Sequence, residues 1–202
     1  MSEGSNYQFR EFNFQLEQVI NDQRKVIYEI RNKLLHSKNI IADINDFIDP
    51  VVQTHLTKHI DHNEVPDQQT LTAFLKWLDR ALLVKVATET TFEDYHTLQA
   101  FVTEQVNEHL AIVDTLKRNL RLEKSLRHGA LQLIDQTWTA HLEEMGRLKD
   151  GIAMRSYEQE DPVQIYTKEG YQIFKWMYES MQTNIHMLFV QTYRYIINRN
   201  EQ

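Results

Sequence analysis

The sequence predicts an all-α chain, and three observations carry that expectation. Glycine and proline are scarce, with five and three residues among 202, whereas sheet and loop-rich proteins need many turn formers. Apolar residues recur at steps of three and four over long stretches, which is helical period. The composition, 42% hydrophobic and 25% charged, is that of an ordinary water-soluble domain with enough apolar material for a core.

The elements follow in order. Phe9, Phe12, Leu16, Val19/Ile20, Ile27, Ile30 and Leu34 predict one long helix over about 6–37, roughly 45 Å at ~1.5 Å per residue. Such a length suits a helix that bridges or supports other parts. The section 38–125 is more broken. A short helical pattern covers 40–47, and Pro50 could open a second helix over 51–62, since proline suits a first turn. Residues 62–67 read as a loop. Asp67 or Thr70 could cap a helix carrying Leu71, Phe74, Leu75, Trp77, Leu78 and Leu82. Residues 90–94 resemble a turn with a new cap, followed by a long helix over 94–125. Two further long helices are predicted over 126–154 and 163–198. The first has Leu131, Ile134, Trp138, Leu142, Met145, Leu148 and Ile152 on its stripe; the second has Phe174, Met177, Met181, Ile185, Leu188 and Thr192/Tyr195. Two such stripes joined by a connection should fold back as an antiparallel hairpin. Gly151–Arg155 ends one helix and Asp161-Pro162 starts the next, with Asp161 as cap, so the connection shrinks to about 156–160.

Composition also limits function. The formal net charge is −7, which disfavours general phosphate-backbone binding, so nucleic acid is not an expected partner. There is no cysteine, which removes disulfides and thiolate metal sites and fits a reducing compartment. Apolar runs are too short to span a bilayer, and the N-terminus lacks the features of a secretory signal. His55 and His59 share a helix face with His62 nearby, a spacing that can hold zinc or copper if a third ligand converges. The plainer reading is a solvated histidine face, and no metal site is assigned. Glu93-x-x-His96 is a single copy of a motif that di-iron bundles need twice. No GxSxG elbow and no phosphate loop occurs, so no catalytic residue is named. Tyr157 lies in the polar connection, outside both stripes. It suits either a plug under the loop or a contact point for another molecule.

The residues Asp135, Trp138, His141-Leu142, Met145, Leu148, Gly151-Ile152, Arg155, Tyr157, Gln159, Asp161-Pro162, Tyr166 and Glu169 stand at the spacing of a known pattern. That pattern is D-x-x-W-x-x-H-L-x-x-M-D-x-L-R-x-G-I-x-L-R-x-Y-x-Q-x-D-P-x-x-x-Y-x-x-E, and the stretch resembles the C-terminal region of the SecA family. Gln23-Arg24-x-x-Ile27-Tyr28-x-x-Arg31 is similar to that family's Q-R-x-x-I-Y-x-x-R. SecA is the ATPase that drives preproteins through the SecYEG channel. The resemblance implies three parts: the first long helix of a helical scaffold (1–38), a helical wing domain (39–125), and the rest of the scaffold with a two-helix finger (126–202). It implies Tyr157 at the finger tip with Glu160 and Tyr166 near it, contacting preprotein and channel. Trp138, His141, Leu142, Met145 and Arg155 are then expected to pack the finger against the scaffold. The implied partners are the SecYEG channel, unfolded preprotein and SecA motor domains. The implied place is cytoplasmic, peripherally associated with the inner face of the bacterial membrane. The chain lacks nucleotide-binding folds, so ATP and magnesium are expected in the motor of a full-length protein, with no cofactor and no enzyme activity in this chain; it would be a fragment or a split gene product. Gly146, Lys149 and Glu160 depart from the pattern, where Asp, Arg and Lys are usual, and point to an accessory SecA of Gram-positive type. The competing reading is a stand-alone helical adapter that binds a protein partner.

Overall fold

A computed structural model describes residues 3–61, 67–116, 119–155 and 161–200. Its elements there are seven α-helices: α1 Glu3–His36, α2 Ile40–Asn45, α3 Ile48–His59, α4 Gln68–Ala81, α5 Tyr95–Thr115, α6 Leu120–Arg155 and α7 Pro162–Asn200. The all-α expectation holds.

The caps explain most boundaries. Asp67 accepts from the backbone N–H of Gln69 and Thr70 and starts α4. Asp94 and Thr97 form a reciprocal capping box at α5. Asp161 accepts from the Val163 N–H at 3.0 Å, so Pro162 takes the first helical position, where its missing N–H costs nothing. Two expected boundaries are corrected. The helix predicted over 51–62 begins at Ile48 and ends at His59. Pro50 is its third residue, still among the four N-terminal positions whose N–H has no helical partner. The helix predicted over 94–125 stops at Thr115, and α6 starts at Leu120. Asn119 makes the break, because its side-chain oxygen accepts from the N–H of both Arg121 and Leu122 at 3.1 Å.

The chain forms two compact units: Met1–His36 with Leu131–Met181, and Ser37–Ala130 with Gln182–Gln202. In the first, Leu16 of α1, Met145, Leu148 and Ile152 of α6, and Tyr166 of α7 make one apolar cluster. In the second, a larger core joins Ile48, Val52 and Leu56 of α3, Leu71, Phe74, Leu75 and Leu78 of α4, and Leu98, Val102 and Val106 of α5. The α4–α5 connection also enters this core, through Leu82, Val84 and Val86, while Lys85 and Ala87 between and beyond them are exposed.

That connection has no helix over 82–94, so its buried backbone groups need side-chain partners. They have them. The Leu83 N–H donates to His109 Nδ1 at 3.0 Å, and the Val86 N–H to Asp79 at 2.9 Å. His186 Nε2–H donates to the Ala81 carbonyl at 2.7 Å, and Arg194 of α7 reaches the carbonyls of Asp79 and Leu82. Arg194 thus places a cation at the C-terminal, negative end of α4, where orphan carbonyls concentrate. His109 completes the lattice by donating Nε2–H to Asn45 at 2.7 Å, whose amide donates to the Ile41 carbonyl.

Candidate functional site

The first unit is built on a seam among α1, α6 and α7. Along the part of α6 that belongs to this unit the buried positions are Ile134, Trp138, His141, Met145, Leu148 and Ile152, steps of four and three alternately. This 3.5-residue repeat is the pattern of helices that pack knobs into holes. Along α1, Leu16, Gln23, Ile27 and Leu34 are buried with the same register. Three polar rungs tie α1 to α6: Asn13 to Lys149 at 2.8 Å, Gln23 to His141 at 2.7 Å, and Arg31 to Asp135 through a two-pronged pair at 2.8 and 3.2 Å. The partner number falls as the α1 number rises, so the two helices run antiparallel. His141 faces Phe174 with ring centroids 5.6 Å apart and Met145 meets Gly170, so the number falls on α7 as it rises on α6 and these two helices are antiparallel as well.

Gly170 of α7 faces the Met145 side chain of α6. A Cβ there would sit 2.6 Å from the Met145 Cε atom and 3.3 Å from its sulfur. Its carbonyl accepts from Gln23 Nε2 at 3.1 Å. With that amide committed as donor, Gln23 Oε1 is the acceptor for His141 Nε2–H, which fixes the neutral tautomer. Burial drives His141 down to about 4, consistent with a ring that stays uncharged.

The residues expected to carry function are distributed unevenly. Trp138, His141 and Met145 are buried in the seam. Leu142 is 37% exposed, a correction to its place on the buried stripe; the four–three alternation selects His141 and leaves Leu142 on the adjoining face. Tyr166, expected beside the connection as a contact residue, is 3% exposed and packs within the apolar cluster. It lies one turn inside α7, on the face that meets α6, and burial raises its phenol above the usual range. Arg155 is the last residue of α6. Tyr157 and Glu160 lie outside the described residues.

The His55–His59 pair does stand together, with ring centroids 4.3 Å apart, but His55 stacks on Trp77 at 3.7 Å and 10°. Burial, and then the charges of His59, Lys58 and Arg80, push His55 down to about 4. Among the described residues no group of three or more His, Cys, Asp or Glu is placed to hold a metal ion.

Sequence reasoning misses a second stripe on α1. Tyr7, Phe14, Tyr28 and Leu35 are 63, 55, 50 and 37% exposed. They recur at multiples of seven, with Asn21 at the remaining step, so they share one face of the helix. That face is offset from the buried seam. A search for a second heptad beside the buried one would have found it.

Comparison with known proteins bears on what such a unit belongs to. The family model described as SecA Wing and Scaffold domain matches residues 1–192. The chain belongs to this SecA family. Protein translocase subunit SecA 2 of Bacillus anthracis is 35% identical over 184 residues, which is 89% of this chain and 23% of that protein. SecA 2 of Geobacillus thermodenitrificans is 32% identical over 191 residues, 91% of this chain and 23% of that protein. Protein translocase subunit SecA of Syntrophus aciditrophicus is 32% identical over 178 residues, 85% of this chain and 21% of that protein. The chain therefore spans under a quarter of the length of these SecA relatives.

Proposed function

We propose that this chain serves as the helical wing and scaffold of a SecA-type protein translocase, of the accessory SecA 2 kind. The observation that carries the reading is the double character of α1. One stripe is consumed by the seam with α6 and α7. The other, Tyr7, Phe14, Tyr28 and Leu35, stays exposed. Large apolar side chains exposed at a regular step along one helix suit an interaction surface, and the SecA relatives have more than three quarters of their length beyond the matched region. In this reading α1 is the spine to which the motor domains dock. ATP and magnesium are held by those domains, and this chain does no chemistry of its own.

The α6–α7 connection is the part that meets the SecYEG channel and the unfolded preprotein, with Tyr157 at its tip and Glu160 beside it. Tyrosine suits a contact that must tolerate many sequences, because it offers a rigid apolar ring and a hydroxyl that bonds to any backbone. Such a protein works at the cytoplasmic face of the membrane. Among the described residues no helix is long and apolar enough to cross it.

The test is addition of the chain to a SecA motor fragment in trans. Binding and a changed ATPase rate are expected, and Phe14→Glu with Tyr28→Glu should weaken binding at least tenfold. In the full-length protein, Tyr157→Ala should lower preprotein transport while the fold stays intact. No binding by the unsubstituted chain sinks the scaffold reading, and normal transport with Tyr157→Ala sinks the tip assignment.

A further inference from the structure

The seam of the first unit is apolar along its buried heptad except at one level. Gln23 and His141, 7 and 3% exposed, occupy positions that elsewhere carry Leu16, Ile27, Met145 and Leu148. They are bonded to each other at 2.7 Å and, through the Gln23 amide, to the Gly170 carbonyl at 3.1 Å. All three helices of the unit meet at this layer.

We propose that Gln23 and His141 form a register pin that fixes the axial position of α1 along α6 and α7. An apolar heptad seam is degenerate, because a slide of seven residues, ~10 Å along a helix, returns apolar groups to apolar neighbours. The polar layer removes that degeneracy. Sliding α1 one heptad along antiparallel α6 sets Gln23 level with Ile134 or Leu148, and His141 level with Leu16 or Ile30. The amide and the imidazole N–H are then buried without partners, a cost that a native bond avoids. A single buried polar position sets register in the same way in coiled coils. The rim rungs do not supply this discrimination. Asp135 and Lys149 are exposed, and pairs in water hold weakly. The pin stands on this geometry and does not depend on the translocase reading.

The chain has no cysteine, so two can be placed at will. Lys25→Cys on α1 and Arg147→Cys on α6, both 71% exposed in the native chain, carry spin labels for pulsed distance measurement. The labelled chain should give one narrow distance. Adding Gln23→Leu with His141→Leu should leave helix content and unfolding midpoint in place, yet introduce a second distance displaced by up to ~10 Å. His141→Gln, whose amide can still donate to Gln23, should keep the single distance. One unshifted distance in the double-leucine chain overturns the proposal. So does unfolding of that chain, and so does the second distance appearing in His141→Gln.

Discussion

Gly146 sits on the exposed face of α6, and a Cβ built there meets nothing within 4 Å. Glycine in a helix interior costs roughly 0.5–1 kcal/mol relative to alanine through backbone entropy. Gly146→Ala should therefore stabilise the chain by about that amount, visible as a raised urea midpoint. An unchanged or lower midpoint would mean that the position serves something besides the helix. Gly170 is the opposite case, because a Cβ there would press on the end of the Met145 side chain, which would have to move. Residue type alone does not separate the two; the neighbour across the seam does.

At the scale of elements, caps and stripes decide where helices stop and what they touch. Asn119 satisfies two N–H groups at the start of α6. Asn119→Ala should cost about 1 kcal/mol, measured as loss of midpoint with an unchanged slope. A loss below ~0.3 kcal/mol would show that packing of Leu122 and Leu126 holds this terminus without the cap. The α5–α6 break was the least legible boundary in the sequence. Helical period runs through it in the apolar residues, and the one punctuating residue is an asparagine in a basic stretch. By contrast Asp67, Asp94 and Asp161 stand directly before apolar periodic runs, and their caps could be read in advance. The polar lattice over 82–94 could not be read. Its partners, His109, His186 and Arg194, come from helices distant in sequence.

At the scale of the whole molecule, buried neutral histidines set the response to acid. Burial drives His186 to about 4, and burial with the nearby His186 drives His109 to about 3; His141 is likewise held at about 4, as is the half-buried His55. Each of these is below the ordinary 6.5, so below that pH the unfolded chain binds protons that the folded chain refuses. Stability is complete above about pH 6.5 and falls as pH drops towards 4, by up to roughly 1.4 kcal/mol per pH unit for each histidine. The two capping carboxylates, Asp67 and Asp94, are held below their usual range by bonds to Thr70 and Thr97, and add loss of the same sign at lower pH. Urea unfolding at pH 8, 7, 6 and 5 should show little change between 8 and 7 and a steep decline below 6. His141→Gln should flatten that decline, since it removes one refused proton. A midpoint independent of pH across this range would contradict the neutral, buried state of these rings.

Local chemistry on the sequence determined the helices, most of their caps and the family. Helical period and capping residues act within a few positions, so a linear reading reaches them, and the motif around Asp135 to Pro162 is a string of fixed spacings. The apolar stripe of α1 read from the sequence is the one that is buried, at Leu16, Ile27 and Leu34, and only the tertiary structure showed the second, exposed stripe beside it. Both are periodic, and what α6 and α7 cover leaves the second one in solvent. The tertiary structure likewise decided that Gln23, His141 and the Gly170 carbonyl are one layer, that Tyr166 packs inward, and that Leu142 does not. Each of these depends on the phase of one helix against another, a quantity set by long-range packing.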